Sequence, residues 1–270
     1  MPVKVCVLGA AGRMGRRLIT LCVEDPELQL AAAVECPGHA WLGKDAGPLC
    51  GVGKELHVLI ADSFASACGA DVALDFTLHE AATRHAEEAA ALGLPLVIGA
   101  TGMTDDEKKR IAKAAERIPL IHAPNFSVGV NVLLKVAELV ARTLGDGYDV
   151  EILEAHHNQK LDAPSGTAMA LAEAVARGLN RNLREVSVYG RHGMVGQRQP
   201  KEIGIHALRM ADVVGEHTAF FATGGERLEL THKASSRDTF ARGALRAAKW
   251  LVKNQKGPGL YTMAQVLGLQ

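Results

Sequence analysis

The sequence predicts an α/β protein in two parts, the first built on a parallel sheet and the second an α+β domain with an open mixed sheet. Three observations predict it. Short apolar runs alternate with helical stretches through the first 126 residues, a glycine-spaced turn joins the first run to the first helix, and the rhythm changes after Phe126. Strands and helices alternating at short spacing are the pattern of a parallel sheet covered on both faces.

Val3–Leu8 is a valine-rich apolar run that ends at Gly9 and reads as the first strand. Met14, Leu18, Leu21 and Cys22 then recur at helical spacing over residues 13–24, and residues 28–34 read as a second buried strand. Further strands are expected at 58–60, 72–76, 94–98 and 119–122. Between them, residues 80–92 are alanine-rich and helical, and 104–116 opens on Thr104-Asp105-Asp106-Glu107, the spacing of a capping box. Beyond Phe126, residues 131–143 read as one helix ended by the turn Gly145-Asp146-Gly147, 148–155 as a strand and 167–179 as a helix. Residues 190–204 are glycine-rich and polar, with Arg191, His192, Arg198 and Lys201, and read as a long surface loop. Residues 227–231 alternate as a strand with one wet face does, and a final helix over 238–253 closes the chain.

Composition excludes several classes of function. Hydrophobic residues make up 48% of the 270, so a sizeable core can form and disorder is not expected. Thirty basic and thirty acidic residues give a formal charge of zero, hence no long-range attraction to nucleic acid or to an anionic membrane. Any anion must be held by a local site. The longest apolar runs, such as 94–98, are far too short to cross a bilayer, and the N-terminus, with Lys4 and a break at Gly9, does not read as a signal peptide. The five cysteines (Cys6, Cys22, Cys36, Cys50, Cys68) have no CxxC pair and are odd in number, which points to free thiols in a reducing cytoplasm.

The first chemical signal is Gly9-Ala10-Ala11-Gly12-Arg13-Met14-Gly15, set between a strand and a helix. Gly9 suits the tight turn, Gly12 a close approach of backbone to a pyrophosphate, and Gly15 close packing of helix on strand. Backbone N–H groups at a helix start favour phosphate. Glu35 lies 20 residues past Gly15, at the end of the second strand, where a carboxylate can accept the hydroxyls of an adenosine ribose. Three further segments fall at the carboxyl ends of strands: Phe76-Thr77, Gly99-Ala100-Thr101-Gly102 and Ala123-Pro124-Asn125-Phe126. That edge is where an open α/β sheet binds ligands. These features predict a Rossmann dinucleotide-binding domain over 1–127 with 237–270, which leaves 128–236 as a second domain.

The second signal is Glu154-Ala155-His156-His157-Asn158-Gln159-Lys160, followed by Ser165-Gly166-Thr167 at a helix start. A histidine exchanges protons near neutral pH, and Lys160 brings a compact positive charge. The N–H groups of Gly166 and Thr167 suit a carboxylate. Each residue has a plainer explanation: the His-His pair can be structural, and Ser165 can be only an N-cap. Zinc lacks a completing set of ligands, so no metal is expected.

The run from Glu154 to Thr167 resembles the signature of the 4-hydroxy-tetrahydrodipicolinate reductase (dihydrodipicolinate reductase) family. The likeness covers essentially the whole chain, through the glycine turn, Asp75–Thr77, Asn125–Asn131, Gly215–Thr218 and Thr231–Arg237 in the same order. The resemblance implies NADH- or NADPH-dependent reduction of a small dicarboxylate, (2S,4S)-4-hydroxy-2,3,4,5-tetrahydrodipicolinate, by a cytoplasmic homotetramer assembled through the second domain. It implies that His156 and Lys160 are catalytic proton donors and that His157, Gly166 and Thr167 bind substrate. It also implies that Gly9, Ala10, Ala11, Gly12, Arg13, Met14, Glu35, Gly99, Ala100, Thr101, Ala123, Pro124, Asn125 and Phe126 contact the cofactor. Some members carry arginine directly after the acid, where this chain has Cys36, so NADH is expected to serve at least as well as NADPH. Two rivals share only the cofactor half. An aspartate or homoserine dehydrogenase is not expected to carry the His-His-x-x-Lys loop, and a non-catalytic dinucleotide sensor has no use for it.

Overall fold

The computed structural model describes residues 1–67, 69–254 and 256–269; Cys68, one of the five expected thiols, lies outside the described residues. Cys6, Cys22 and Cys50 are buried and Cys36 is exposed, all as free thiols. No helix among the described residues is long and apolar enough to cross a membrane. The chain divides into two compact units, Met1–Ser127 with Asp238–Gln270, and Val128–Arg237.

In the first unit, strands and helices alternate: β1 (Val3–Leu8), α1 (Arg13–Glu24), β2 (Leu28–Val34), α2 (Ala46–Leu49), β3 (Ile60–Ala61), β4 (Val72–Asp75), α3 (His79–Leu92), β5 (Leu96–Ile98), α4 (Asp105–Ala115) and β6 (Pro119–His122). The strands are continuous apolar runs because both faces are covered: Val5, Cys6, Val7 and Leu8 of β1 are fully buried. Helix α1 turns Leu18, Ile19, Leu21 and Cys22 onto the sheet. Each such large side chain contributes about 1.5–3 kcal/mol on burial. At α4 the expected capping box is complete, with Thr104 accepting from the Glu107 N–H and Glu107 accepting from the Thr104 N–H. The strand expected at 58–60 instead runs over Ile60–Ala61. The Asp45 carboxylate takes the N–H groups of Leu56 and Val58, and the backbone of residues 43–46 pairs with Val58 and Ile60, so that stretch is held by a loop and not by a strand of the sheet.

The second unit comprises α5 (Val128–Leu144), β7 (Asp149–His156), α6 (Gly166–Gly178), α7 (Leu183–Val186), β8 (Ser187–Tyr189), β9 (Ile203–Arg209), β10 (Gly215–Thr223) and β11 (Glu226–Ala234). Its sheet is mixed, in the order β11-β10-β7-β9-β8, with β7 parallel to β9 and antiparallel to β10. One face packs Val150, Ile152, Ile203, Ile205, Ala219 and Phe221 beneath α5 and α6. The stretch expected as a loop over 190–204 ends in strand from Ile203, and it is pinned. Arg191 and Arg198 both donate to the Glu151 carboxylate, and His206 lies 2.7 Å from it. Burial pulls the Glu151 carboxyl upward, but its hydrogen bonds to Arg191, His206 and Arg198 outweigh it and bring it down to about 2.

The chain then returns to the first unit through α8 (Asp238–Lys253), β12 (Gly259–Tyr261) and α9 (Met263–Leu267). Helix α8, expected from sequence to close the chain, is instead followed by a strand and a further helix. Strand β12 adds to the edge beside β6, giving the parallel order β12-β6-β5-β4-β1-β2-β3. Helix α8 is tied at its start by a two-pronged Arg17–Asp238 pair and near its end by Lys249 to Asp25 and Glu27.

Candidate active site

In the first unit the turn from β1 to α1 is as tight as its glycines allow. Gly9 has φ +70°, and a Cβ there would stand 2.9 Å from the Thr77 methyl. A Cβ on Gly15 would overlap the Gly9 carbonyl oxygen and lie 2.9 Å from Ala10 Cα. Helix α1 begins after Gly12 with no side-chain cap and no acid in its first turn, which suits its N-terminal N–H groups to an anion. Glu35 accepts from the Ala11 N–H at 2.8 Å and from the Cys36 N–H at 2.9 Å, so it braces the turn while each oxygen keeps further acceptor capacity. A cavity of about 810 Å³ opens here, lined among others by Gly9, Ala11, Gly12, Glu35, Cys36 and Thr77.

Not every expected cofactor residue lines this cavity. Ala10 is buried, bonded through its N–H to Val34, and Met14 packs into the core. Arg13 is exposed and outside the lining, whereas Arg84, not singled out in the sequence, lies within it. Gly99, Ala100 and Thr101 follow β5, and Ala123, Pro124, Asn125 and Phe126 follow β6, at the carboxyl edge of the same sheet but outside this cavity. Gly99 leaves room for the Phe76 ring, which tilts against Phe126 at 5.5 Å.

In the second unit, residues two apart on a strand share a face. Along β7 the row Val150, Ile152 is apolar and core-facing, and its next members are Glu154 and His156. Strand register sets His217 of β10 opposite Glu154, and Arg209 of β9 opposite His156. Glu154 is fully buried and collects three partners. Arg209 donates to both of its oxygens at 2.9 and 3.0 Å, the Ser165 N–H reaches it at 3.0 Å, and His156 Nδ1 stands 2.6 Å away. Burial pulls the Glu154 carboxyl upward, but Arg209, His156 and the Ser165 N–H together hold it below the ordinary range. The ionised carboxylate can only accept, so His156 is protonated on Nδ1. Burial pushes the His156 imidazole below its ordinary value despite Glu154, leaving it neutral at pH 7 with its lone pair on Nε2. Gly215 keeps that nitrogen uncovered, since a Cβ there would stand 3.1 Å from it.

Ser165 caps α6 by accepting from the Ala168 N–H, and its hydroxyl is 3.0 Å from His217 Nε2. Burial pushes His217 down to about 4, and its ring meets His156 edge-on at 5.2 Å. The helix begins at Gly166, one residue before the expected start, with open space over Gly166. His157 is half-buried, and its Nδ1 has no hydrogen-bond partner. Lys160, expected to be a proton donor, points its ammonium at Asp162 at 2.8 Å. The arrangement thus brings His156, His157, Lys160, Gly166 and Thr167 onto one loop and helix start. Sequence reading gave no role to Glu154, Arg209 or His217; the two-residue spacing of Glu154 and His156 was the available signal.

The comparisons bear on both units. The chain matches "Dihydrodipicolinate reductase, N-terminus" over residues 3–126 and "Dihydrodipicolinate reductase, C-terminus" over 129–267. It belongs to the dihydrodipicolinate reductase family. Among its relatives, the 4-hydroxy-tetrahydrodipicolinate reductase of Syntrophus aciditrophicus is 53% identical over 267 residues, 99% of each chain. That of Magnetococcus marinus is 53% identical over 271 residues, the full length of both. A solved family structure, the dipicolinate-bound dihydrodipicolinate reductase of Paenisporosarcina sp. TG-14, superposes with a TM-score of 0.77 at 25% identity, covering 98% of this chain and 99% of that one.

Proposed function

We propose that this protein is an NAD(P)H-dependent 4-hydroxy-tetrahydrodipicolinate reductase, converting (2S,4S)-4-hydroxy-2,3,4,5-tetrahydrodipicolinate to tetrahydrodipicolinate in diaminopimelate and lysine synthesis. The observation that carries the reading is the Glu154–His156 pair beside the start of α6, in a chain matched by this family from residue 3 to residue 267. A proton-handling group next to an anion-binding helix start fits a dicarboxylate that must be reduced and lose water. The net change adds a hydride and a proton to the substrate and releases one water.

The residues of the second unit divide the work. The N–H groups of Gly166 and Thr167, with Lys160 and His157, take the carboxylates. Lys160 is held on a surface carboxylate, Asp162, and can exchange it for the substrate's own. His156 moves the proton at Nε2, with Glu154 fixing its tautomer. Lys160 adds a second donor. In the first unit, Gly9–Met14 and Glu35 hold the dinucleotide, with the segments after β5 and β6 at the same sheet edge. The nicotinamide supplies the hydride when bound. The face of the five-stranded sheet turned away from α5 and α6, where Phe220 lies across from Glu151 and Glu229 and Leu208 stays 43% exposed, is the surface for a homotetramer.

Purified protein given the 4-hydroxy-tetrahydrodipicolinate intermediate is expected to oxidise the dinucleotide, and dipicolinate to inhibit competitively with that substrate. No oxidation with this substrate would refute the assignment; inhibition that is not competitive would move the carboxylate site away from Lys160 and Gly166.

Cofactor choice follows from the charges around the cavity. Glu35, Asp62 and Glu88 line it, against one arginine, Arg84. A 2′-phosphate beside Glu35 meets repulsion of about 1 kcal/mol in water and about 4 at an effective dielectric of 20, for unit charges 4 Å apart. Cys36 offers nothing to offset it. NADH is therefore expected to serve at least as well as NADPH, the difference lying in cofactor affinity, and Cys36→Arg to shift preference toward NADPH. Steady-state kinetics with both cofactors on both proteins decide this. A wild type that clearly prefers NADPH would place Arg84 on the 2′-phosphate.

A further inference from the structure

The Glu154 carboxylate is shared. Its two oxygens receive the Arg209 guanidinium in a fork, at 2.9 and 3.0 Å, while one of them also stands 2.6 Å from His156 Nδ1. Arg209 further donates to the backbone carbonyls of Leu208 and Asp162, at 2.6 and 2.7 Å, so it joins β7, β9 and the Lys160 loop. A carboxylate facing a histidine alone would hold that histidine protonated. Here the same carboxylate is already matched by a permanent cation. The other groups facing His156 are the neutral His217 of β10, seen edge-on, and Lys160 of the loop, itself paired with Asp162. Glu154, Asp162, Arg209 and Lys160 therefore balance in charge around the ring.

We propose that Arg209 is a positioning residue that governs when His156 carries a proton: by balancing Glu154, it lets the buried imidazole stay neutral until a doubly anionic substrate enters. Two substrate carboxylates tip the balance, and His156 takes up its proton as the substrate binds. The general acid is thus charged only in the complex, where the proton has somewhere to go. The inference rests on His156 being the proton-handling group of the proposed reaction.

The test reads the ring directly. Enzyme labelled at histidine Cε1 is titrated by NMR, with the His156 resonance assigned by its loss in His156→Gln, and the pH dependence of kcat/KM is measured alongside. Arg209→Gln is expected to move the His156 midpoint up. Glu154→Gln is expected to move it down, and Arg209→Lys to leave it near wild type while turnover falls through the loosened loop. In the wild type, saturating dipicolinate should raise the midpoint. A clamp that is only structural would raise KM and leave the midpoint unchanged in Arg209→Gln, and that result overturns the proposal. Should Arg209→Gln fail to fold, Arg209→Met, which keeps the side chain's length without its charge, decides: an upward shift sustains the proposal and no shift overturns it. Because the NMR midpoint needs no turnover, a shifted midpoint in an enzyme inactive on the proposed substrate would leave Arg209's role standing and remove the substrate assignment instead.

Discussion

Replacing His156 by alanine is expected to lower turnover by about 10²–10⁴-fold, the usual loss on removing a positioned general acid or base. The structure says why the loss should fall on the chemical step. His156 is fixed through Nδ1 on a fully buried carboxylate, and Gly215 leaves its Nε2 open. The neighbouring His217 cannot replace it: burial holds it at about 4, and its Nε2 is engaged with Ser165. The alanine variant also leaves Glu154 with one partner fewer, so His156→Gln is the cleaner comparison, since its amide can still donate to Glu154. Both variants should bind the dinucleotide as the wild type does, because the glycine turn belongs to the other unit. Stopped-flow turnover, dinucleotide titration and thermal melting separate these contributions. A glutamine variant that turns over at near wild-type rate would take the proton-handling role away from His156.

What could be read from sequence differs between the two units for physical reasons. In the first, strands covered on both faces are plain apolar runs, and the glycines at 9 and 15 mark a turn with no room for a side chain at either position. The errors there fall on short edge pieces. Strand β12 has three residues and borrows its stability from β6, and the stretch before β3 is held by the loop around Asp45, which leaves no periodic trace. In the second unit, β9 and β10 went unassigned because their core rows are interrupted by the site itself: Arg209 and His217 sit where apolar residues would complete the pattern. The loop and helix start carrying His156, Lys160 and Gly166 are contiguous in sequence and could be found there. The supporting shell of Arg209 and His217 lies 55 and 63 positions beyond Glu154 and exists only through strand register.

The glycine turn provides the other large effect, and here two rules of helix chemistry point in opposite directions. Gly15 lies in the first turn of α1, where alanine is the better helix former by about 1 kcal/mol, so propensity alone predicts that Gly15→Ala stabilises. Packing predicts the reverse. The added Cβ would overlap the Gly9 carbonyl oxygen and crowd Ala10 Cα at 2.9 Å, both of them backbone atoms that no rotamer change can move. Relief requires α1 to part from β1, and overpacking of this kind costs about 1–3 kcal/mol. Steric overlap should therefore win, lowering the melting temperature by about 2–4 °C for each kcal/mol lost. The larger consequence is for the cofactor. The atoms that must separate form the turn that presents the α1 N–H groups and that Glu35 braces through Ala11. Dinucleotide affinity should fall about tenfold or more, since a displacement costing about 1.4 kcal/mol in the bound state suffices for that. Gly147→Ala, at a site with open space around its Cβ, is the control and should change stability by no more than about 0.5 kcal/mol. Melting curves and dinucleotide titrations of the two variants decide the matter. If Gly15→Ala melts and binds as the wild type does, the close approach of α1 to β1 is not what holds the dinucleotide turn in shape.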